Sequence, residues 1–255
     1  MTAIRKILVA MSLLFWIVMP AKAADRAQLA QFMAVTGFDV ALESMRLSAR
    51  DAPTMLGLDA DDFGLSWSRL ADRIFEPEAL KNDALEILDN ALTEDVLAHA
   101  TRFYGSKLGQ RLVTAENESH GLEFEDREAE GARLAQALSA RGSPQPQYFL
   151  DMAESIGYVG ATIKAYREVQ VRFLMAASLA GLIEQRFDEV DLRAMLAQQD
   201  DEVRRAMADN LIVANASTYR DFTDSEIEIY RDALAMPQMM EVYELMNAIH
   251  FTIMA

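Results

Sequence analysis

The sequence predicts an all-α protein, a multi-helix bundle with no β-sheet, built as two related helical halves packed together. Three observations carry this. Ala, Leu, Met, Glu, Gln and Arg dominate nearly every segment, and these residues lose little conformational freedom on entering a helix. Apolar residues recur at helical spacing, as in Val96, Leu97, Ala100, Phe103 and Tyr104, an i, i+1, i+4, i+7, i+8 series that lines one side of a helix. Gly and Pro fall where helices would end.

In chain order, residues 1–23 read MTAIRKILVAMSLLFWIVMPAKA. A basic start at Arg5 and Lys6, an apolar run from Ile7 to Met19, the break at Pro20 and the small-x-small Ala21-Lys22-Ala23 have the layout of a secretory signal peptide cleaved after Ala23. The apolar run is too short for a membrane-spanning helix, which needs about 20 residues. Asp25 caps a first helix that stops near Gly37. A second runs from Phe38 to Arg50 and closes at Pro53, and a third covers Asp59 to Phe75. Glu76-Pro77 opens a fourth that buries Leu80, Leu85 and Leu88 and reaches Ala91, with Pro in its first turn. Thr93 caps the next helix, with Glu94 and Asp95 where the helix dipole favours acids. Gly105-Ser106 ends it, and Leu108, Leu112 and Leu122 carry the following one. At that corner Phe103 and Tyr104 fill the wedge between two helices while Gly105 takes the left-handed backbone. The apolar stretch FLMAASLAGLI, Phe173 to Ile183, is expected near the centre of the core.

Arg141-Gly142-Ser143-Pro144-Gln145-Pro146 is the clearest linker and falls near mid-chain. It divides the mature chain into an N-terminal half, 24–142, and a C-terminal half, 143–255. QFMAVTGFDVA is echoed by LDMAESIGYVGA, and DNALTEDVL by YRDFTDSEI, where Thr223 again precedes an acidic first turn. The second half therefore reads as a diverged repeat of the first.

The stretch LTEDVLAHATRFYGSKLGQRL, Leu92 to Leu112, resembles the bacterial domain-of-unknown-function family 2059. Those exported helical proteins carry a Thr before several acidic residues, then Phe-Tyr, a small residue, Ser-Pro and Gly-Gln-Lys. Thr93, Leu97, Phe103, Tyr104, Ser106, Gly109 and Gln110 match, Arg111 stands for the Lys, and Lys107 replaces the usual Pro. The second copy keeps Thr223, Ile227 and Pro237 but has Ala233-Leu234 in place of the aromatic pair. The resemblance implies an all-helical envelope protein and brings no activity with it.

Candidate chemistry is sparse. His99, His120 and His250 are the three histidines, and no two stand at helical ligand spacing. His120 with Glu116, Glu118 and Glu123 is the one local group with histidine and carboxylate ligands, and a solvated helix face explains it as well as a divalent site. In DADDFGLSWSRL, Asp59, Asp61 and Gly64 fit positions 1, 3 and 6 of a calcium loop, but Phe63 and Leu70 occupy positions where oxygen ligands are needed. Met236, Met239, Met240 and Tyr243 recur as a buried helix face would, with soft Cu(I) ligation as the rival reading. No serine elbow, Ser-x-x-Lys or phosphate-cradling loop is present. These readings assign no catalytic, cofactor-binding or metal-ligating residue and no cofactor.

The absence of Cys excludes thiolate chemistry, disulfides and a lipid-modified N-terminus. Forty acidic against 24 basic residues give a net charge of −16, and loss of residues 1–23 removes only basic groups. Such a surface disfavours nucleic acid and anionic membranes as partners. The expected function is a non-enzymatic periplasmic binding or protein-interaction protein of the bacterial envelope, with a protein or an apolar small molecule as partner. Its alternatives are an envelope hydrolase using carboxylates from separate helices, and a structural protein that self-associates into a homo-oligomer through its Met-rich C-terminal helix.

Overall fold

A computed structural model of the chain describes residues 26–44, 69, 71–120, 124–179 and 186–254. The signal-peptide reading, the DADDFGLSWSRL loop up to Ser68, and Leu70, Leu122 and Glu123 lie outside these residues. Among the described residues the regular structure is helical throughout, with no strand, and no helix is long and apolar enough to cross a membrane.

Helix α1 (Arg26–Thr36) buries Leu29, Phe32 and Met33 and stops at Gly37, whose φ of 71° few other residues adopt. Helix α2 (Pro77–Ala91) starts as its sequence predicts. Glu76 accepts a hydrogen bond from the Ala79 amide at 2.8 Å, Pro77 opens the first turn, and Leu80, Ala84, Leu85 and Leu88 face inward. Helix α3 (Glu94–Tyr104) is capped by Thr93 and buries Val96, Leu97, Ala100 and Tyr104. Helices α4 (Lys107–His120) and α5 (Phe124–Ala140) complete the chain up to the linker.

At the linker, Gly142 adopts a φ of 66°. The Ser143 hydroxyl donates to Asp224 at 2.7 Å, and the buried Gln145 side-chain amide donates to the Phe222 carbonyl at 3.1 Å. The break between the predicted halves is thus fastened to the far end of the chain. Helices α6 (Gln145–Ser155), α7 (Tyr158–Leu179), α8 (Glu189–Ala197), α9 (Asp200–Thr218), α10 (Asp224–Leu234) and α11 (Pro237–Met254) follow. One continuous core takes residues from α1 to α6 and from α9 to α11, among them Leu88, Tyr104, Leu112, Phe149, Ile227 and Met239.

Helices α5 and α9 pack closely against each other. A Cβ added at Gly131 would stand 2.2 Å from the Val213 carbonyl oxygen, so the two backbones meet at a spacing only glycine permits there.

Helices α3 and α10 repeat one local design. Each has 11 residues and a Thr cap, Thr93 at φ −78°, ψ 155° and Thr223 at φ −76°, ψ 159°. Each ends in a two-residue corner, where the Gly105 and Ala235 amides reach back to Thr101 and Arg231 at 2.8 and 3.1 Å. The next amides, of Ser106 and Met236, reach Phe103 and Ala233 at 3.0 and 3.2 Å.

Three expectations need correction. Gly105 is right-handed, at φ −74°, ψ −10°, because the corner continues the helical turn instead of reversing it. The glycine that matters is Gly109, where an added Cβ would lie 2.3 Å from the Phe103 carbonyl oxygen and 2.6 Å from Tyr104 Cα. The described side chains of Phe173 to Ile183 do not enter the main core, and those of Phe173, Ala176 and Ala177 lie outside the description. Leu179 is 85% exposed, and Leu174 and Met175 join a small separate cluster with Val171, Leu192 and Leu196 between α7 and α8; Ala180 to Ile183 lie outside the described residues. The methionine stripe does not form one buried face. Met239 is fully buried, but Met236 and Met240 are 44% and 45% exposed, since the inward face of α11 runs through Met239, Val242 and Ile249.

Candidate functional site

The residue that breaks its helix's pattern is Glu116. On α4 it follows Leu112 by one turn, at the next inward position, where packing favours an apolar side chain. Its partners are tyrosines at inward positions of other elements. Tyr104 ends the buried stripe of α3, Tyr219 caps α9, Tyr230 stands between Ile227 and Leu234 on α10, and Tyr243 follows Met239 on α11. Tyr104, Tyr219 and Tyr230 are buried, while Tyr243 and Glu116 are partly so.

Glu116 Oε1 accepts hydrogen bonds from the Tyr219 hydroxyl at 2.7 Å and the Tyr230 hydroxyl at 2.9 Å. The Tyr104 hydroxyl lies 3.3 Å from that of Tyr230 and 2.5 Å from that of Tyr243. The rings hold the hydroxyls in place. Phe103 stacks on Tyr230 with centroids 5.7 Å apart, and Tyr219 meets Tyr230 edge-on at 6.1 Å. The Phe103-Tyr104 pair therefore fills the corner as expected and also reaches across to the second half.

Burial raises the Glu116 carboxyl above its ordinary value, and the hydrogen bonds from Tyr219 and Tyr230 partly oppose this. Burial likewise lifts Tyr104, Tyr219 and Tyr230 well above the ordinary phenol value, with the Glu116 charge adding to the effect. Tyr243 is pushed up to about 12, again mainly by burial. The four phenols stay protonated at neutral pH, and the carboxyl is the one acid among the five. This is a hydrogen-bond centre inside packed rings.

A second feature is open to solvent. Between α5, α7 and α9 a groove of about 270 Å³ has a floor of Tyr158, Met207, Leu211, Val213 and Ala214. Glu128 and Asn210 supply its polar side. Tyr158 is 44% exposed there. None of the five residues of the carboxylate cluster lines it.

The local groups read from the sequence are described in part, since Glu123 and the side chain of His120 lie outside the description. Glu116 belongs to the tyrosine cluster, Glu118 is exposed on the outer face of α4, and His99 is half-buried on the flank of α3. His250 lies on the outer face of α11. Among the described residues no group of three or more His, Asp or Glu is placed to hold a metal ion. The carboxylate cluster was not legible because its members span Tyr104 to Tyr243; the available signal was a lone acid in the inward register of α4.

No curated protein and no solved structure matches the chain. Residues 78–136, from α2 into α5 and including Tyr104 and Glu116, match the model of a bacterial family described as "Uncharacterized protein conserved in bacteria (DUF2059)", the family that the Leu92–Leu112 motif resembles.

Proposed function

We propose that the chain is a non-enzymatic binding or protein-interaction protein of the bacterial envelope, exported to the periplasm after cleavage behind Ala23. In this reading the groove between α5, α7 and α9 holds an apolar portion of its partner. The observation that carries it is the groove's composition, an apolar floor with Tyr158 half-exposed and Glu128 at its side. Pockets of this kind hold ligands by apolar contact, with a few polar groups fixing orientation. The strongest alternative centre, Glu116, is enclosed by tyrosines, which argues against the hydrolase reading.

Native mass spectrometry of the protein purified gently from its own envelope tests this. An added mass that is absent from a Leu211→Glu variant supports the reading. A clean monomer, together with an unchanged partner profile for Leu211→Glu, refutes it.

The two halves, 24–142 and 143–255, are proposed to be a duplication. The matched caps and corners of α3 and α10 support this. Self-association through α11 keeps one specific support, the exposed pair Met236 and Met240. Deleting residues 236–255 would not test this cleanly, because Met239, Val242 and Ile249 belong to the core. Replacing Met236 and Met240 by Glu should dissociate an oligomer while leaving the fold intact, and an unchanged assembly would eliminate that reading.

A further inference from the structure

Three helices give the groove between α5, α7 and α9 its chemistry. Met207, Asn210, Leu211 and Ala214 recur at three- and four-residue intervals along one side of α9 and line it together with Val213. Gly131 lets α5 approach the Val213 carbonyl, where an added Cβ would stand at 2.2 Å. Glu128, one turn earlier on α5, shares the groove lining with Val213. Tyr158 is placed by a fixed corner. Gly157 turns the chain with a φ of 65°, the Asn247 side-chain amide donates to the Ile156 carbonyl at 2.7 Å, and α7 starts at Tyr158. Among the described residues, the side chains of Glu128, Asn210 and Tyr158 spend no hydrogen bond or ion pair on the protein itself, and no basic side chain lines the groove.

We propose that this groove binds a small amphiphilic cation, a protonated amine carried on a short apolar stem. This ligand class presupposes that the groove is the binding site proposed above. The apolar floor takes the stem, whose removal from water supplies the affinity. The remaining groups select the sign of the head. A carboxylate only accepts hydrogen bonds and an ammonium only donates them, so Glu128 is matched to such a head and Asn210 offers a further acceptor. A tyrosine ring attracts a cation through its negative face, which gives Tyr158 a part in the same selection. An anionic head would meet Glu128 with no compensating base, on a chain with 40 acidic against 24 basic residues. A neutral head would leave the Glu128 charge unused. The volume of about 270 Å³ lies just below the range of about 300–1,000 Å³ usual for drug-sized ligands, which suits a free small amine.

The test is calorimetric titration of the whole purified protein, at neutral pH and low salt, with three probes of one chain length: n-octylammonium, n-octanol and n-octanoate. Octylammonium should bind roughly tenfold more tightly than octanol, the combined effect of an exposed ion pair and an exposed cation–π contact. Octanoate should bind more weakly than octanol. Glu128→Gln, at an exposed position, should bring octylammonium to within about threefold of octanol while octanol binding stays as it was. Octanol binding as tightly as octylammonium to the unsubstituted protein would overturn the cationic ligand class and leave the groove as a site. An ammonium preference that Glu128→Gln leaves unchanged would do the same. Absence of binding by all three probes would overturn the groove reading itself, and the ligand class with it.

Discussion

Replacing Glu116 by Ala and by Gln separates two costs at one position. Alanine deprives the Tyr219 and Tyr230 hydroxyls of the oxygen they share at 2.7 and 2.9 Å. A buried donor left without a partner costs about 1–3 kcal/mol, and the tyrosines can recover part of this from one another. The expected net loss is about 2–4 kcal/mol, roughly 5–12 °C in melting temperature for a chain of this size. Glutamine keeps an oxygen in place and removes the buried charge, so it should cost under about 1 kcal/mol at neutral pH. The pH dependence follows from the direction of the shift. Burial raises the folded carboxyl above its unfolded value, so the folded state holds the proton more tightly. Stability from this group is fully present below the unfolded value and is lost as pH rises through the folded one. Each unit of displacement is worth about 1.4 kcal/mol. Thermal melts across a pH series should show an acid-side gain in the unsubstituted protein, relative to Glu116→Gln, that the variant lacks. If glutamine costs as much as alanine at neutral pH, the anion itself is required and this account of the cluster is wrong.

Further substitutions probe packing and capping. Gly109→Ala and Gly131→Ala each push a methyl group into backbone, at 2.3 Å from the Phe103 carbonyl oxygen and 2.2 Å from that of Val213. Each should cost about 1–3 kcal/mol in chemical denaturation, and a neutral effect would show that the helices separate freely. Thr223→Ala breaks a capping box in which Thr223 and Glu226 bond reciprocally. About 1 kcal/mol should be lost. Glu226 is held below the usual carboxylate range by the Thr223 amide first and by Arg111 second, so stability from that carboxylate is present above its unfolded value and fades as pH falls through the folded one. A Glu226→Gln protein whose acid sensitivity matches the original would contradict this. Leu179→Ser, at an exposed site, should change stability by less than about 0.5 kcal/mol; a larger loss would return Leu179 to a packed environment.

The helical architecture was legible because local signals agreed. Glu76-Pro77, the inward leucines of α2 and the Thr93 cap all pointed to boundaries that the structure places at Pro77–Ala91 and Glu94–Tyr104. What failed was inference from composition. Phe173 to Ile183 is the most apolar stretch of the mature chain, but an apolar run specifies burial against something, and α7 turns Leu174 and Met175 toward α8 instead of the main core. Met236 and Met240 failed similarly, because spacing of three and four residues does not say which face is inward. For the candidate site the difficulty was distance along the chain. Tyr219 and Glu116 are 103 residues apart, and each alone reads as an ordinary helix residue.

The same geometry explains what the family-matching segment does structurally. Gln110 and Arg111 of its motif line an open depression with Lys107 and Phe222, while Phe103, Tyr104 and Arg111 reach residues from the last part of the chain. The Ser106 hydroxyl accepts the Gly109 amide at 3.1 Å and starts α4, and Gly109 lets α4 leave close against the last turn of α3. That closeness sets Tyr104 and Glu116 side by side, facing Tyr219, Tyr230 and Tyr243. On the neighbouring face of α4, Arg111 pairs with Glu226 and lies 4.7 Å over the Phe222 ring. The residues of 78–136 that look most like a functional signature are therefore engaged with residues 219–243. An activity assay of segment 78–136 alone would test a surface that the whole chain covers, and the more informative object is the intact seam.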